Sequence, residues 1–119
     1  MQYAICVYEP ESEFERRQGA TTAQEYWAAY AAYSKALVEA GVARGGAGLD
    51  LPSTATTVRV RASKRQVHDG PYADTRELLG GAFFIEVANL DEALSWAARC
   101  PGAEFGSVEV RPMLPPPPL

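Results

Sequence analysis

Ten consecutive residues, His68 to Glu77, gather most of the side-chain types that acid/base chemistry uses. They hold His68, Asp69, Tyr72, Asp74, Arg76 and Glu77, and His68 is the only histidine in the chain. A histidine titrates near neutral pH, and a carboxylate beside it can orient the ring or hold its charge. Neighbouring residues on a strand point to opposite faces, so His68 and Asp69 cooperate only where a turn breaks the alternation. Asp69-Gly70-Pro71 is such turn chemistry: glycine supplies unusual dihedrals and proline stiffens the next residues. Two readings of Asp69 stand side by side. In one it is a base on a pocket wall, with His68 or a tyrosine completing the acid/base pair. In the other its carboxylate only fixes the turn. Arg76 and Tyr72 are candidate ligand contacts, with a solvated charged face as the alternative for Arg76 and Glu77.

A second set of candidates is aromatic. Tyr26, Tyr30, Tyr33 and Leu37 follow at spacings of four, three and four, which puts them on one helix face. Core packing explains such a stripe, and the hydroxyls of Tyr26 and Tyr30 at its rim can also face a ligand, as can Tyr8. One histidine and two distant cysteines, Cys6 and Cys100, do not make a metal-ligand set or a disulfide framework. No dinucleotide fingerprint is present. The three glycines of "ARGGAG" follow a helix instead of opening one, so they read as a strand approached closely by another backbone. No cofactor and no metal are expected.

The elements that must position these residues follow from periodicity. "YAICVY" is a first strand with Tyr3, Ile5 and Val7 on one side and Ala4, Cys6 and Tyr8 on the other. Glu9 to Gln18 is charged and aperiodic, which predicts a surface loop. Thr22-Ala-Gln-Glu25 has the form of a capping box for a helix that ends at Gly41. "TTVRVR" and "QVHD" flank the turn "ASKR" as a hairpin, with Val58 and Val60 inward. Asp74-Thr-Arg-Glu77 reads as a small capping pattern for a turn of helix closed by Gly80-Gly81. "GAFFIEV" is a strand. Asn89 to Glu92 caps a second helix with Leu90, Ala93, Leu94 and Ala97 on its buried face, stopped at Cys100-Pro101-Gly102. "GSVEVRPM" is the last strand.

Strand, helix, strand, hairpin, strand, helix, strand is an α+β order: a ferredoxin-like split βαβ sheet with an inserted hairpin. Two helices cover one face of such a sheet, yet the strands are apolar on both. A second copy of the chain is the expected cover. The expected division is one domain over residues 1–112 and a proline-rich tail over 113–119, where "LPPPPL" adopts polyproline II and packs on something, the neighbouring subunit being one such surface.

The chain has 119 residues and a net charge of −4. An acidic balance excludes nucleic acid as a main partner, because phosphate binding needs clustered Lys and Arg. The local cluster Arg59, Arg61, Lys64 and Arg65 reads as the solvated edge of the hairpin. No apolar run reaches the length of a membrane span and no signal segment opens the sequence, so a cytoplasmic location is expected, with no membrane partner.

"DGPYADTRELLGGAFFIEVANLDEALSWAARCP" followed by "GSVEVRP" resembles the YCII-related, or DGPF-domain, proteins. The likeness extends back through "ATTVRVR" and the tyrosine-rich helix. Tyr72 stands where that family usually has Phe, and Asp74 where it usually has Glu. The resemblance implies a ferredoxin-like subunit that dimerises as an α/β barrel. It also implies one of two roles. The first is a lyase-like enzyme on a small ring or acid, since a branch of the family is associated with such chemistry and with a His–Asp pair. The aspartate of that pair corresponds to Asp69; the histidine's place, near the start of the first helix, holds Gln24 and Glu25 here. His68 stands where these proteins more often have Thr. The second is a non-catalytic ligand-sensing or accessory regulatory module, because such genes often neighbour alternative sigma factors.

Overall fold

A computed structural model describes residues 1–118. Its sheet has the order β2-β5-β1-β6, built from β1 (Gln2–Pro10), β2 (Ala43–Gly48), β5 (Glu77–Glu86) and β6 (Ser107–Pro112), with every pairing antiparallel. Without the inserted hairpin this is the ferredoxin-like order. The two long helices are α2 (Ala23–Glu39) and α3 (Leu90–Arg99), with the shorter α1 (Glu11–Arg16) and α4 (Gly102–Phe105). They bury one sheet face. Tyr3, Ile5, Val7, Ile85, Tyr33 and Leu37 form the core. Strand alternation delivers it: the odd positions of β1 are buried and the even ones only partly so.

The second face carries Ala4, Cys6, Tyr8, Ala82 and Phe84, all half-buried in the single chain. The hairpin of β3 (Thr56–Arg61) and β4 (Lys64–Asp69) forms a separate two-stranded ladder. Its turn needs positive φ at both Ala62 and Ser63, the geometry that matches strand twist in a two-residue hairpin loop. Val58 and Val60 are not inward: both are exposed, as is Val67 across the ladder. Alternation fixes which residues share a face but not whether anything covers that face.

Other expectations shift for local reasons. Residues Glu9 to Gln18 are no loop. β1 runs to Pro10 and α1 follows, burying Phe14 and Glu13. Thr22 is the N-cap of α2, but its hydroxyl donates to the Arg16 carbonyl at 3.0 Å and caps nothing. On α3 the cap is as expected, Asn89 accepting from the Glu92 amide at 3.0 Å. Ala93 and Ala97 are buried there, whereas Leu90 and Leu94 are exposed. The segment after Asp74 forms no turn of helix; the chain bends at Thr75 and Arg76 and β5 starts at Glu77. Gly41 ends α2 at φ +74° as glycine can. Met113 adds one more bond beside β1, its amide donating to the Gln2 carbonyl at 2.9 Å. Leu114 and the prolines beyond it are exposed on this chain, and the last residue of the expected tail, Leu119, lies outside the described residues. Among the described residues no helix is long and apolar enough to cross a membrane.

Candidate functional site

The inward row of β1 ends on a carboxylate. Tyr3, Ile5 and Val7 are followed on the same face by Glu9, whose exposure is 1%. A charge so buried must be paired and hydrogen-bonded. Arg17, from the segment between α1 and α2, supplies the pair: its Nη2 lies 3.0 Å from Glu9 Oε1, and its side chain is 7% exposed. Tyr26 supplies the hydrogen bond, its hydroxyl lying 2.8 Å from both carboxylate oxygens. The Tyr30 hydroxyl approaches Oε2 at 3.4 Å.

Arg17 is itself held on all sides. Its Nε donates to the Tyr26 oxygen at 3.0 Å, its Nη2 also donates to the Gly80 carbonyl at 3.1 Å, and its Nη1 donates to the Leu49 carbonyl. The guanidinium lies 4.9 Å from the Phe14 ring centre and 5.3 Å from that of Trp27. Burial alone would lower its pKa, but the bonds to Tyr26 and Glu9 outweigh that and raise it. Burial, reinforced by the Glu9 carboxylate, holds the Tyr26 and Tyr30 hydroxyls well above the ordinary phenol range. Both are therefore neutral proton donors at any physiological pH.

Gly80 makes this arrangement possible. A Cβ there would sit 2.5 Å from Glu9 Oε1 and 3.0 Å from Arg17 Nη2. A side chain at position 80 would force the pair to shift.

Beside this cluster lies a cavity of about 540 Å³, with Glu9, Arg17, Tyr26 and Tyr30 at its polar end. Its apolar part is lined by Leu37 and Phe83, its rim by Trp27 and Val38, and its sheet side by glycines of β2 and β5. The glycines explain why there is a cavity at all. Helix α2 packs over an edge of the sheet that has few side chains to meet it. Such a volume suits a small organic ligand, with a few polar groups converging in an apolar enclosure.

The candidates read from sequence fall into separate places. Tyr26 and Tyr30 are brought together at the cavity. Tyr8 lies on the opposite sheet face, across from Leu79 and Ser107 in the neighbouring strands. His68 and Asp69 are exposed on β4, paired with Thr57 and Thr56 respectively. Tyr72 is 74% exposed beneath the Arg59 guanidinium, 5.1 Å from its ring centre. Arg76 is exposed and lines a second cleft of about 700 Å³ with Leu51 and Phe14. Gly70 holds φ +108° and donates its amide to the Ala55 carbonyl at 2.7 Å, closing the hairpin's open end. Glu9 and Arg17 were not among the candidates. A signal for Glu9 existed: the period of two along β1 carries it inward after Val7. No comparable pattern marks Arg17, which lies beside Arg16 in a charged run.

A profile of the YCII-related domain matches residues 1–116. The chain is 36% identical over 118 residues to an uncharacterized protein of Rhizobium meliloti, covering 95% of this chain and 92% of that one. Its fold is similar to that of 5-chloro-2-hydroxyhydroquinone dehydrochlorinase from Burkholderia phenoliruptrix AC1100, solved in complex with 2,5-dihydroxybenzoquinone. That likeness has a TM-score of 0.55 at 17% identity over 96% of this chain and 94% of the other. With its ferredoxin-like sheet, and matched by the domain profile over nearly its whole length, the chain belongs to the YCII-related family.

Proposed function

We propose that the cavity beneath α2 is the site of cofactor-free, lyase-like acid/base chemistry on a small ring or acid. The observation that carries this is the Glu9 carboxylate, buried beside an apolar cavity and fixed by Arg17 and Tyr26. A positioned carboxylate accepts a proton from a substrate bound within hydrogen-bond reach. As that proton leaves, its bonding pair forms a new π bond and a leaving group departs with its own electron pair from the adjoining atom. The proton on Glu9 then returns to solvent. Tyr30, neutral and loosely tied to Oε2, is placed to donate a hydrogen bond to charge developing on the substrate. The fold neighbour's name, a dehydrochlorinase of a hydroxylated ring, belongs to the same reaction class.

On this reading Asp69 and His68 end the hairpin and take no part in the chemistry within one chain; they reach a site only if a second copy brings one to them. The test is a screen of small ring compounds and acids for turnover, followed by Glu9→Gln. This variant keeps the shape and removes the base. Loss of at least about a hundredfold in kcat/KM with an unchanged circular dichroism spectrum is expected; full activity of Glu9→Gln would remove the proposal's main residue.

A ligand-sensing or accessory module is the second reading. It is favoured by the fact that Glu9 is already satisfied by groups of its own chain. Tight binding without turnover of any bound compound would select it.

We propose further that two copies associate through the open sheet face, as an α/β barrel does. Ala4, Cys6, Tyr8 and Phe84 are half-buried there, with Arg111 and Glu109 beside them on β6, and the separate hairpin leaves Val58, Val60 and Val67 exposed. An obligate interface of this kind buries about 2,000 Å² or more in total. Sedimentation at micromolar concentration is expected to show a dimer, and a stable monomer would contradict it.

A further inference from the structure

The β3–β4 hairpin has little cover from its own chain. Every residue of its two strands is exposed except half-buried Thr57. A two-stranded hairpin alone in water is marginally stable at best, so an arm of this kind gains from a partner.

Its ladder sorts the side chains. Residues paired across the strands share a face, and the faces alternate along each strand. The pairs Thr57 with His68, Arg59 with Gln66 and Arg61 with Lys64 make one face wholly polar. The other face carries Thr56 and Asp69 at its base, Val58 and Val67 in the middle, and Val60 and Arg65 at its tip. Its valines are each more than half exposed, and removing such apolar area from water is favourable. On β4 the middle valine is flanked by opposite charges, Arg65 towards the tip and Asp69 at the base.

That pattern complements itself. Two such faces, packed about 10 Å apart, are related by a twofold axis in the plane between them. With the axis along the strands, tip lies over tip and β4 over β3. Arg65 then covers the partner's Val60 and Asp69 the partner's Thr56, so both charges lose water and gain no counter-charge, which is costly. With the axis across the strands, through the Val58 and Val67 row, each strand lies antiparallel over its own copy. Val58 meets the partner's Val58, Val67 meets the partner's Val67, and each Arg65 lies over the partner's Asp69. Charge complementarity selects this second arrangement.

We infer that the hairpin is a dimerisation arm: the valine faces of two copies pack antiparallel, with each Arg65 paired to the partner's Asp69. Two faces of two short strands hide less than the roughly 1,200 Å² of a standard interface. The arms therefore reinforce a dimer that another surface also holds, and to that extent the inference rests on the sheet-face association proposed above.

Charge reversal in the full chain tests the pairing. Arg65→Asp and Asp69→Arg each set like charges opposite one another. Each is expected to raise the dimer dissociation constant, measured by sedimentation equilibrium, at least about tenfold with circular dichroism unchanged. Mixed in equal amounts, the two variants regain both ion pairs, and a heterodimer within about threefold of the unaltered affinity is expected. Absence of rescue on mixing would overturn the pairing. Dimerisation undiminished in both variants would overturn the arm contact and leave the sheet face as the interface, whereas a stable monomer of the unaltered chain would overturn both. If Asp69→Arg fails to fold, Val67→Cys with Cys6→Ser supplies the second measure, since the other cysteine, Cys100, is buried. A short bismaleimide is expected to link two such chains through position 67, and failure to link a dimer would overturn the antiparallel packing.

Discussion

The cavity beneath α2 and the corner that closes the β3–β4 hairpin carry similar side chains in opposite surroundings. Each has a carboxylate, an arginine and tyrosine. At the cavity, Glu9 and Arg17 are buried in contact and two tyrosine hydroxyls converge on the carboxylate. At the corner, His68, Asp69 and Tyr72 are exposed, with the Arg59 guanidinium stacked on Tyr72. The corner's candidates cluster within ten positions of the chain. The cavity's residues are spread from position 7 to 83 and meet only through strand pairing and helix packing. Reactivity needs desolvation and fixed geometry, and those come from burial, which sequence proximity does not supply.

Because the two regions differ in burial, equivalent changes in them are expected to have unequal effects. The largest is expected from Arg17→Met. It removes the cation and leaves the Glu9 carboxylate buried and uncompensated, at a cost of about 3–5 kcal/mol. Urea unfolding measures it directly. A loss below about 1 kcal/mol would mean that water reaches the pair and that the two regions are alike. Glu9→Gln combined with Arg17→Met is expected to recover part of the loss, because the orphaned charge is then gone.

The glycines give a smaller, sharper comparison. Gly80→Ala places a Cβ against Glu9 and Arg17, and overpacking of that kind costs about 1–3 kcal/mol. Gly70→Ala meets no atom within 4 Å and is strained only by its positive φ, costing about 1 kcal/mol. Both are expected to lower the melting temperature. Only Gly80→Ala is expected to abolish ligand binding in the cavity as well. Equal retention of binding by both variants would separate the Glu9–Arg17 pair from function.

Much of the fold was legible because it depends on period. Alternation in β1 and β6, the four-three-four spacing of Tyr26, Tyr30, Tyr33 and Leu37, and the cap at Asn89 each reflect a local geometric rule. What sequence could not show is cover. Val58 and Val60 alternate as a buried row would, yet nothing in the chain lies over them. Leu90 and Leu94 are equally apolar and equally exposed. The candidate cavity was half legible for the same reason. Tyr26 and Tyr30 followed from helix spacing, but the charged run from Glu9 to Arg17 carries the composition of a solvated loop. Only the pairing of Arg17 with a carboxylate eight residues away, against backbone carbonyls of two further segments, makes it part of a buried cluster.

The measurement that bears most directly on the central claim sets the two carboxylates side by side. Glu9→Gln and Asp69→Asn each remove one negative charge and keep the side chain's size. Once the screen has supplied a substrate, kcat/KM of each variant is compared with that of the unaltered protein at matched folded concentration. Activity lost at least about a hundredfold in Glu9→Gln, and within about twofold of normal in Asp69→Asn, is the predicted result. Activity lost in Asp69→Asn and kept in Glu9→Gln would contradict the account and place the chemistry at the hairpin corner.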